Sequence, residues 1–187
     1  MTLQIPDGYE YSDKVFDLVS SSGRGYIFNP EDYDFTPRST CTASHRGFRS
    51  VFGLNNGHLF LVQLDISLYS VEEEGWIPEK GMPLNGVEPE FGQSSSIFNN
   101  MYRNVNLPLD YSGTILIADE FVQELYVHIG FPMAWKYEKV IELTFKSGKL
   151  LQEEDRSDEM KILREKAEKS GDPFPDSIIE VKKPPTL

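Results

Sequence analysis

The side chains best suited to covalent chemistry cluster in "STCTASHRGFRSVFGLNNGHLFLVQLDI", residues 39–66. This stretch holds the only cysteine, Cys41, with His45 four residues on and His58 further along. A thiol becomes a nucleophile when an imidazolium or a helix N-terminus lowers its pKa and a third group orients the base. A spacing of four brings the two together only on a helix. This segment is rich in Ser and Thr and leads into a strand. Extended backbone would put Cys41 and His45 on the same side but about 13 Å apart, at ~3.3 Å per residue. It reads as a hairpin with its lead-in, not as a catalytic dyad. Zinc sites announce themselves as close His or Cys pairs. His45, His58 and His128 are isolated, so the sequence implies no metal and no cofactor.

A second constellation lies in "ELYVHIGFPMAWKYEKVIELTF". On a strand, Tyr126 and His128 share one face while Val127 and Ile129 share the other. Trp135, Tyr137 and Glu138 follow within ten residues. An aromatic-lined pocket with a titratable histidine is one reading. The favoured reading is an aromatic rim of the core, in which Tyr126 and His128 satisfy each other or a backbone carbonyl. Carboxylate runs ("VEEEG", "ADEF", "LQEEDRSDE") are too many for any one to single out an acid–base pair, which needs a fixed gap across a cleft. Walker-type, dinucleotide-binding and nucleophile-elbow motifs are absent. "SSSGRGY" (20–26) reads as a hairpin turn, without the strand–loop–helix setting of an anion cradle.

The elements that must position these residues are short alternating runs separated by turn residues. Strands are expected over 14–19, 25–29, 47–54, 58–69, 113–118, 124–129, 139–145 and 149–154. For the first hairpin, a three-residue loop Asn55-Asn56-Gly57 would set Phe52 against Phe60, Ser50 against Val62 and Phe48 against Leu64, an almost unbroken apolar face. A two-residue loop would oppose Phe48 to Asp65, so the longer loop is preferred. "KVIELTFKSGKLL" pairs acceptably with either loop length. One helix is expected over about 157–170, with Asp155 or Ser157 at its N-cap, Gly171 closing it, and a thin apolar set of Met160, Ile162, Leu163 and Ala167. A short helix is expected within 94–104. The proline-rich tail, residues 172–187, could add an edge strand through "SIIEV".

A chain of 187 residues with 39% hydrophobic and 12% aromatic residues is long and apolar enough to bury a core as one domain, residues 1–171. The expected fold class is mainly β (α+β), an antiparallel barrel or sandwich of about eight strands with a C-terminal helix. A single cysteine forms no internal disulfide, the start resembles no signal peptide, and no run approaches about 18 consecutive apolar residues, so a cytoplasmic protein is expected. Thirty acidic residues against eighteen basic give a net charge of -12. That sign disfavours nucleic-acid and membrane-surface partners and would steer a basic protein instead.

Two blocks also form a recognisable pair. "STCTASHRGF … NNGHLFLVQLD" resembles a pattern running S-T-A-C-W-R-G-Y, a strand, an Asp/Asn-Gly turn and K-L-Y-L. "YSGTILI … ELYVHIGF … YEKVIELTFKSGKL" resembles its second half, with Y-V-H-M-G-Y and then Y-E ahead of a hairpin. The pair, covering 39–69 and 111–150, resembles a family of small, uncharacterised bacterial single-domain proteins. That resemblance implies a compact bacterial protein and carries no activity. Arg46, Gly47, Gly113, Tyr126, His128, Gly130, Tyr137 and Glu138 match the pattern. His45 stands where it has Trp, Ser44 where it has Cys, and "FPMAWK" is longer than its linker.

The expected function is that of a soluble, non-enzymatic binding protein, with an acidic immunity-type inhibitor of a basic bacterial toxin as its specific form. The alternative is a small-ligand binder or enzyme with a pocket formed by Arg46, Tyr126, His128, Tyr137 and Glu138. There Arg46 would hold an anionic group, and His128 and Glu138 would be acid and base. Neither a monomer nor a dimer is implied.

Overall fold

A computed structural model of the chain describes residues 3–23, 26–73, 75–92, 97–126 and 130–170. The strands are β1 Gly8–Tyr11, β2 Lys14–Gly23, β3 Phe48–Asn55, β4 His58–Ile66, β5 Tyr69–Glu72 and β6 Gly75–Pro78. They continue as β7 Glu90–Phe91, β8 Asn100–Tyr102, β9 Leu107–Pro108, β10 Gly113–Phe121, β11 Tyr137–Lys146 and β12 Lys149–Asp155, followed by helix α1, Ser157–Ser170. All but β5 and β6 belong to one sheet, ordered β12-β11-β10-β2-β1-β3-β4-β8-β7, with β9 also on β4. The sheet curls until β4 meets β12 at a single pair, His58 and Lys149. Two hydrogen bonds make this seam: Leu59 N–H to the Gly148 carbonyl (2.8 Å) and Leu150 N–H to the Gly57 carbonyl (2.9 Å). Every pairing among these ring strands is antiparallel except β1 with β3. The result is the mainly β, barrel-like fold with a C-terminal helix that the alternation predicts. The strands outside the expected set, β1 and β5 to β9, have two to four residues each and are too short to show a period.

The first hairpin turns on two residues rather than three. Asn56 and Gly57 both have positive φ (49° and 76°), and Asn55 pairs with His58. The clash expected of that short turn is removed by a β-bulge at Val62, because Phe52 pairs with Leu61 but Val51 with Gln63. Beyond the bulge Phe48 faces Ile66 and Arg49 faces Asp65. Leu59, Leu61, Leu64 and Ile66 therefore all stay inside. The β11–β12 hairpin likewise turns on two residues, Ser147 and Gly148, with a bulge between the Thr144 and Phe145 pairs.

Three other expectations fail. Tyr26–Asn29 forms no strand, because Asn29 caps a 3-10 turn over Pro30–Tyr33. In the expected strand 124–129, Gln123–Leu125 is a 3-10 turn, while Val127, His128 and Ile129 lie outside the described residues. The expected helix in 94–104 contains strand β8 instead. There the Asn99 and Asn100 amides bond the main chain of Leu68, Glu79 and Gly81, which calls for extended backbone. Residues 93–96 and the tail from 171 on lie outside the described residues.

The core has two layers. Inside the ring, Tyr9, Phe16, Phe52, Ile115, Ile117, Ile141, Leu143 and Phe145 meet the leucines of β4. Outside it, Leu116, Ala118 and Val140 are covered by Met160, Leu163 and Ala167 of α1 together with Trp135 and Tyr137. Fully burying a side chain such as Met160 or Leu163 is worth about 1.5–3 kcal/mol. Ile162, expected in the apolar set, points to solvent (52% exposed). The helix also completes a strand edge. β12 pairs β11 only from Ile141 onward. Before that point Val140 donates to Ser157 Oγ (3.1 Å), Arg156 N–H donates to the Val140 carbonyl (2.8 Å), and Arg164 donates to the Trp135 and Tyr137 carbonyls. Arg156 adds ion pairs to Glu142, Glu154 and Glu159.

Candidate functional site

Of the five pocket residues, Arg46, Tyr137 and Glu138 each bond a partner of their own, Tyr126 shares the Phe121 ring with Tyr137, and His128 lies outside the described residues. Arg46 makes a two-pronged ion pair with Asp7 (2.9 and 2.8 Å), its guanidinium 4.7 Å from the Phe48 ring centre and 5.9 Å from that of Phe131. Asp7 also accepts the Ser50 N–H (2.8 Å), which fixes the N-terminal segment across the start of β3. The same segment bonds Gln4 N–H to Gly130 and Ile5 N–H to Ala43. Thus it stitches residues 39–69 to residues 111–150. Tyr126 is 42% exposed and meets Phe121 edge to face (6.5 Å). Tyr137 is buried, packs on Phe121 (5.2 Å) and donates its hydroxyl to Asp17 (2.7 Å). Glu138 pairs with Arg164.

The Asp17–Tyr137 pair was not legible in the sequence, since 120 residues separate its members. Burial raises the Asp17 carboxyl above the ordinary value, while the Tyr137 hydroxyl and the Arg49 charge pull it back. Burial, then the bond to Asp17, raises the Tyr137 phenol in turn. Lys136, next in the chain, is buried with its ammonium 5.4 Å from the Trp135 ring centre, and burial lowers its pKa. Cys41 lies in a tight turn, with Ser44 N–H bonded to its carbonyl (3.2 Å), and not on the expected extended lead-in. His45 uses its main-chain N–H on Gln4 Oε1 (3.1 Å). Among the described residues no hydrogen bond links the thiol to the imidazole, and no group of three His, Cys, Asp or Glu is placed to hold a metal ion. No described helix is long and apolar enough to cross a membrane.

Two surface regions concentrate charge. One is the end of the ring around the β1–β2 turn, where Ser12 and Asp13 both have positive φ (49° and 63°). An open groove of about 520 Å³ is lined there by Glu10, Tyr11, Asp13, Lys14, Val15 and Leu54. Lys14 is paired with Asp119 (3.0 Å). Although burial opposes it, that bond, with the Glu120 N–H and the Lys139 charge, lowers the Asp119 carboxyl. Tyr11 donates to Glu153 (2.6 Å), and this bond, with some burial, raises its phenol to about 12. Beneath it the buried Tyr9 hydroxyl has no partner among the described residues.

The other region is the segment from β5 to β7. Residues 69–92 hold six glutamates, Glu72, Glu73, Glu74, Glu79, Glu88 and Glu90, against one basic residue, Lys80. All of these except Glu74, which lies outside the described residues, are exposed, and Lys80 is paired with Glu88 (2.9 Å). The β5–β6 hairpin pairs only with itself: Tyr69 with Pro78, Ser70 with Ile77, Val71 with Trp76 and Glu72 with Gly75. "VEEEG" is conspicuous in the sequence as a carboxylate run. The signal that went unread is the apolar pair on each side of its turn, Tyr69 with Val71 and Trp76 with Pro78.

The class that fold and surface define is a mainly β, barrel-like protein with one helix on its outer face and an acidic hairpin standing off the sheet. Comparisons with protein-family models, with curated proteins and with solved structures give no match.

Proposed function

We propose that this chain is a non-enzymatic binding protein that neutralises a basic protein, in the manner of an immunity-type inhibitor of a bacterial toxin. The observation that carries the reading is the uneven distribution of its negative charge. Within residues 69–92, six glutamates face one lysine, and that lysine is already paired. An exposed surface of one sign raises the encounter rate with a partner of the opposite sign and repels like-charged competitors. The resemblance to a bacterial family suggests the kind of cell in which the partner would be found. A pocket reading draws less support, because Arg46, Tyr137 and Glu138 are each held by a neighbour of their own.

The test is capture on the immobilised full chain at low and at high ionic strength, followed by affinity measurement with the purified partner. The reading expects a basic protein whose affinity falls steeply with salt, since rim charges act within a Debye length of about 8–10 Å. A partner that is acidic, or whose affinity ignores salt, would overturn it.

A further inference from the structure

An exposed tryptophan on a hairpin that pairs with no other strand among the described residues needs an explanation. Trp76 is 52% exposed, Val71 66%, Ile77 43% and, just beyond, Met82 51%. Alternation along β5 and β6 puts Tyr69, Val71, Trp76 and Pro78 on one face, with the Tyr69 and Trp76 rings 6.0 Å apart. That face is apolar throughout, yet the hairpin pairs with no other strand. An isolated two-stranded hairpin is marginal in water, and a contiguous exposed apolar patch rimmed by polar residues marks an interaction surface. It is held at its base, where Glu79 N–H donates to the Leu68 carbonyl (3.0 Å).

We infer that the β5–β6 hairpin is the docking element for a cationic protein partner, with Trp76 and Val71 filling an apolar pocket and the glutamates at the hairpin tip, Glu73 beside the turn and Glu72 on the opposite face, meeting a basic rim around it. This rests on the binding-protein reading above and names the surface that performs it. Charge decides the occupant. A second copy of this chain, docked face to face about a two-fold axis, would bring the glutamates of both hairpins together. A lipid surface would accept the apolar side chains but would offer the glutamates no counter-charge. A protein with a basic rim satisfies both parts of the surface. Aromatic anchors inside a polar ring are the usual form of an interface hot spot.

Fluorescence provides the test, because the only other tryptophan, Trp135, is 7% exposed. The full chain is titrated with a synthetic peptide of alternating lysine and leucine, with polylysine of equal charge, and with neutral phosphatidylcholine vesicles. The inference expects the lysine–leucine peptide to shift the emission to the blue and to bind more tightly than polylysine. Trp76→Ala, which removes the reporter and is therefore followed by isothermal titration calorimetry, should weaken that binding about tenfold or more, as should Glu72→Gln with Glu73→Gln measured in the same way. Ile162→Ala, on the exposed face of α1, should leave it unchanged. The glutamine pair keeps the hairpin's apolar face and covers the case in which Trp76→Ala disturbs the fold. If the peptide binds in a salt-sensitive way but neither hairpin variant weakens it, the docking assignment falls and the acidic-binder reading stands. If neither cationic probe binds, both fall. A blue shift with vesicles alone, or a dimer in sedimentation that Trp76→Ala abolishes, would overturn the assignment in favour of lipid or of self-association.

Discussion

Replacing Arg164 with methionine should detach the helix from the part of β11 that it completes. The Arg164 side chain is buried (8% exposed) and donates to the Trp135 carbonyl (3.1 Å), to the Tyr137 carbonyl and to Glu138. β12 does not reach this part of β11, so the guanidinium takes the place of a neighbouring strand. Methionine keeps most of the aliphatic packing and removes every donor. Glu138 is half-exposed, and losing its pair costs little. The two carbonyls are another matter, since each buried acceptor left unpaired costs about 1–3 kcal/mol. A total of about 2–6 kcal/mol follows, which brackets the ~3–5 kcal/mol typical of breaking a buried charged network. With a urea m-value of about 2 kcal/mol/M, the midpoint should fall by ~1–3 M at unchanged m. Arg164→Lys, which keeps the charge but not the fork, should recover part of the loss. Ile162→Ala, two residues away and facing solvent, should barely move the midpoint. Hydrogen exchange should show the amides of 137–140 losing protection first. A midpoint within about 0.3 M of the parent for Arg164→Met would refute the claim that this side chain completes the strand edge.

Three further outcomes are expected. Gly113→Ala should cost about 2–4 kcal/mol in thermal or urea melts, because a Cβ there would collide with the Ser22 carbonyl; Gly57→Ala, with positive φ but open space around it, should cost about 1 kcal/mol. Tyr137→Phe should cost about 1.5–2 kcal/mol at neutral pH and less in acid. Asp17 has a folded pKa above its unfolded one, so its burial weakens the fold above that raised value and the weakening disappears as pH falls through it; a pH-independent cost would refute the pairing. In alkali, Tyr9, Tyr102, Tyr111 and Tyr137 are raised chiefly by burial and Tyr11 chiefly by Glu153. Their stabilising protonation is complete below pH ~10 and is lost as pH rises through the folded values, so their phenolate absorbance should appear together with loss of circular dichroism.

The two hairpins show how far the pattern of residues reaches. Turn chemistry at Asn56-Gly57 and Ser147-Gly148, with apolar alternation on both sides, placed four strands to within one to three residues. The loop length was misjudged because register was reasoned without a bulge. Val62 absorbs the one-residue mismatch that seemed to rule out the short turn, and nothing in its type marks it for that role. The start of α1 was legible because helical period and its first turn are local properties, while Gly171, expected to close it, lies outside the described residues. The partners of the candidate pocket residues were not legible, because they lie far away in the chain. Arg46, Tyr137 and Glu138 were each claimed by residues far away in the chain: Asp7, Asp17 and Arg164.

Fold class, the long strands, the helix and the sign of the surface charge follow from local periodicity and composition, which need no knowledge of what lies across the core. The seam of β4 with β12, the parallel pairing of β1 with β3 and the use of Arg164 as a substitute strand depend on which distant edges come together. So does the position of the β5–β6 hairpin, left outside the sheet with Trp76 exposed. Hydrogen-bond donors and acceptors on a strand edge are the same for every residue type except proline, so the amino acids hardly encode which edge meets which. That choice is made when the whole chain collapses and each buried polar group must find a partner.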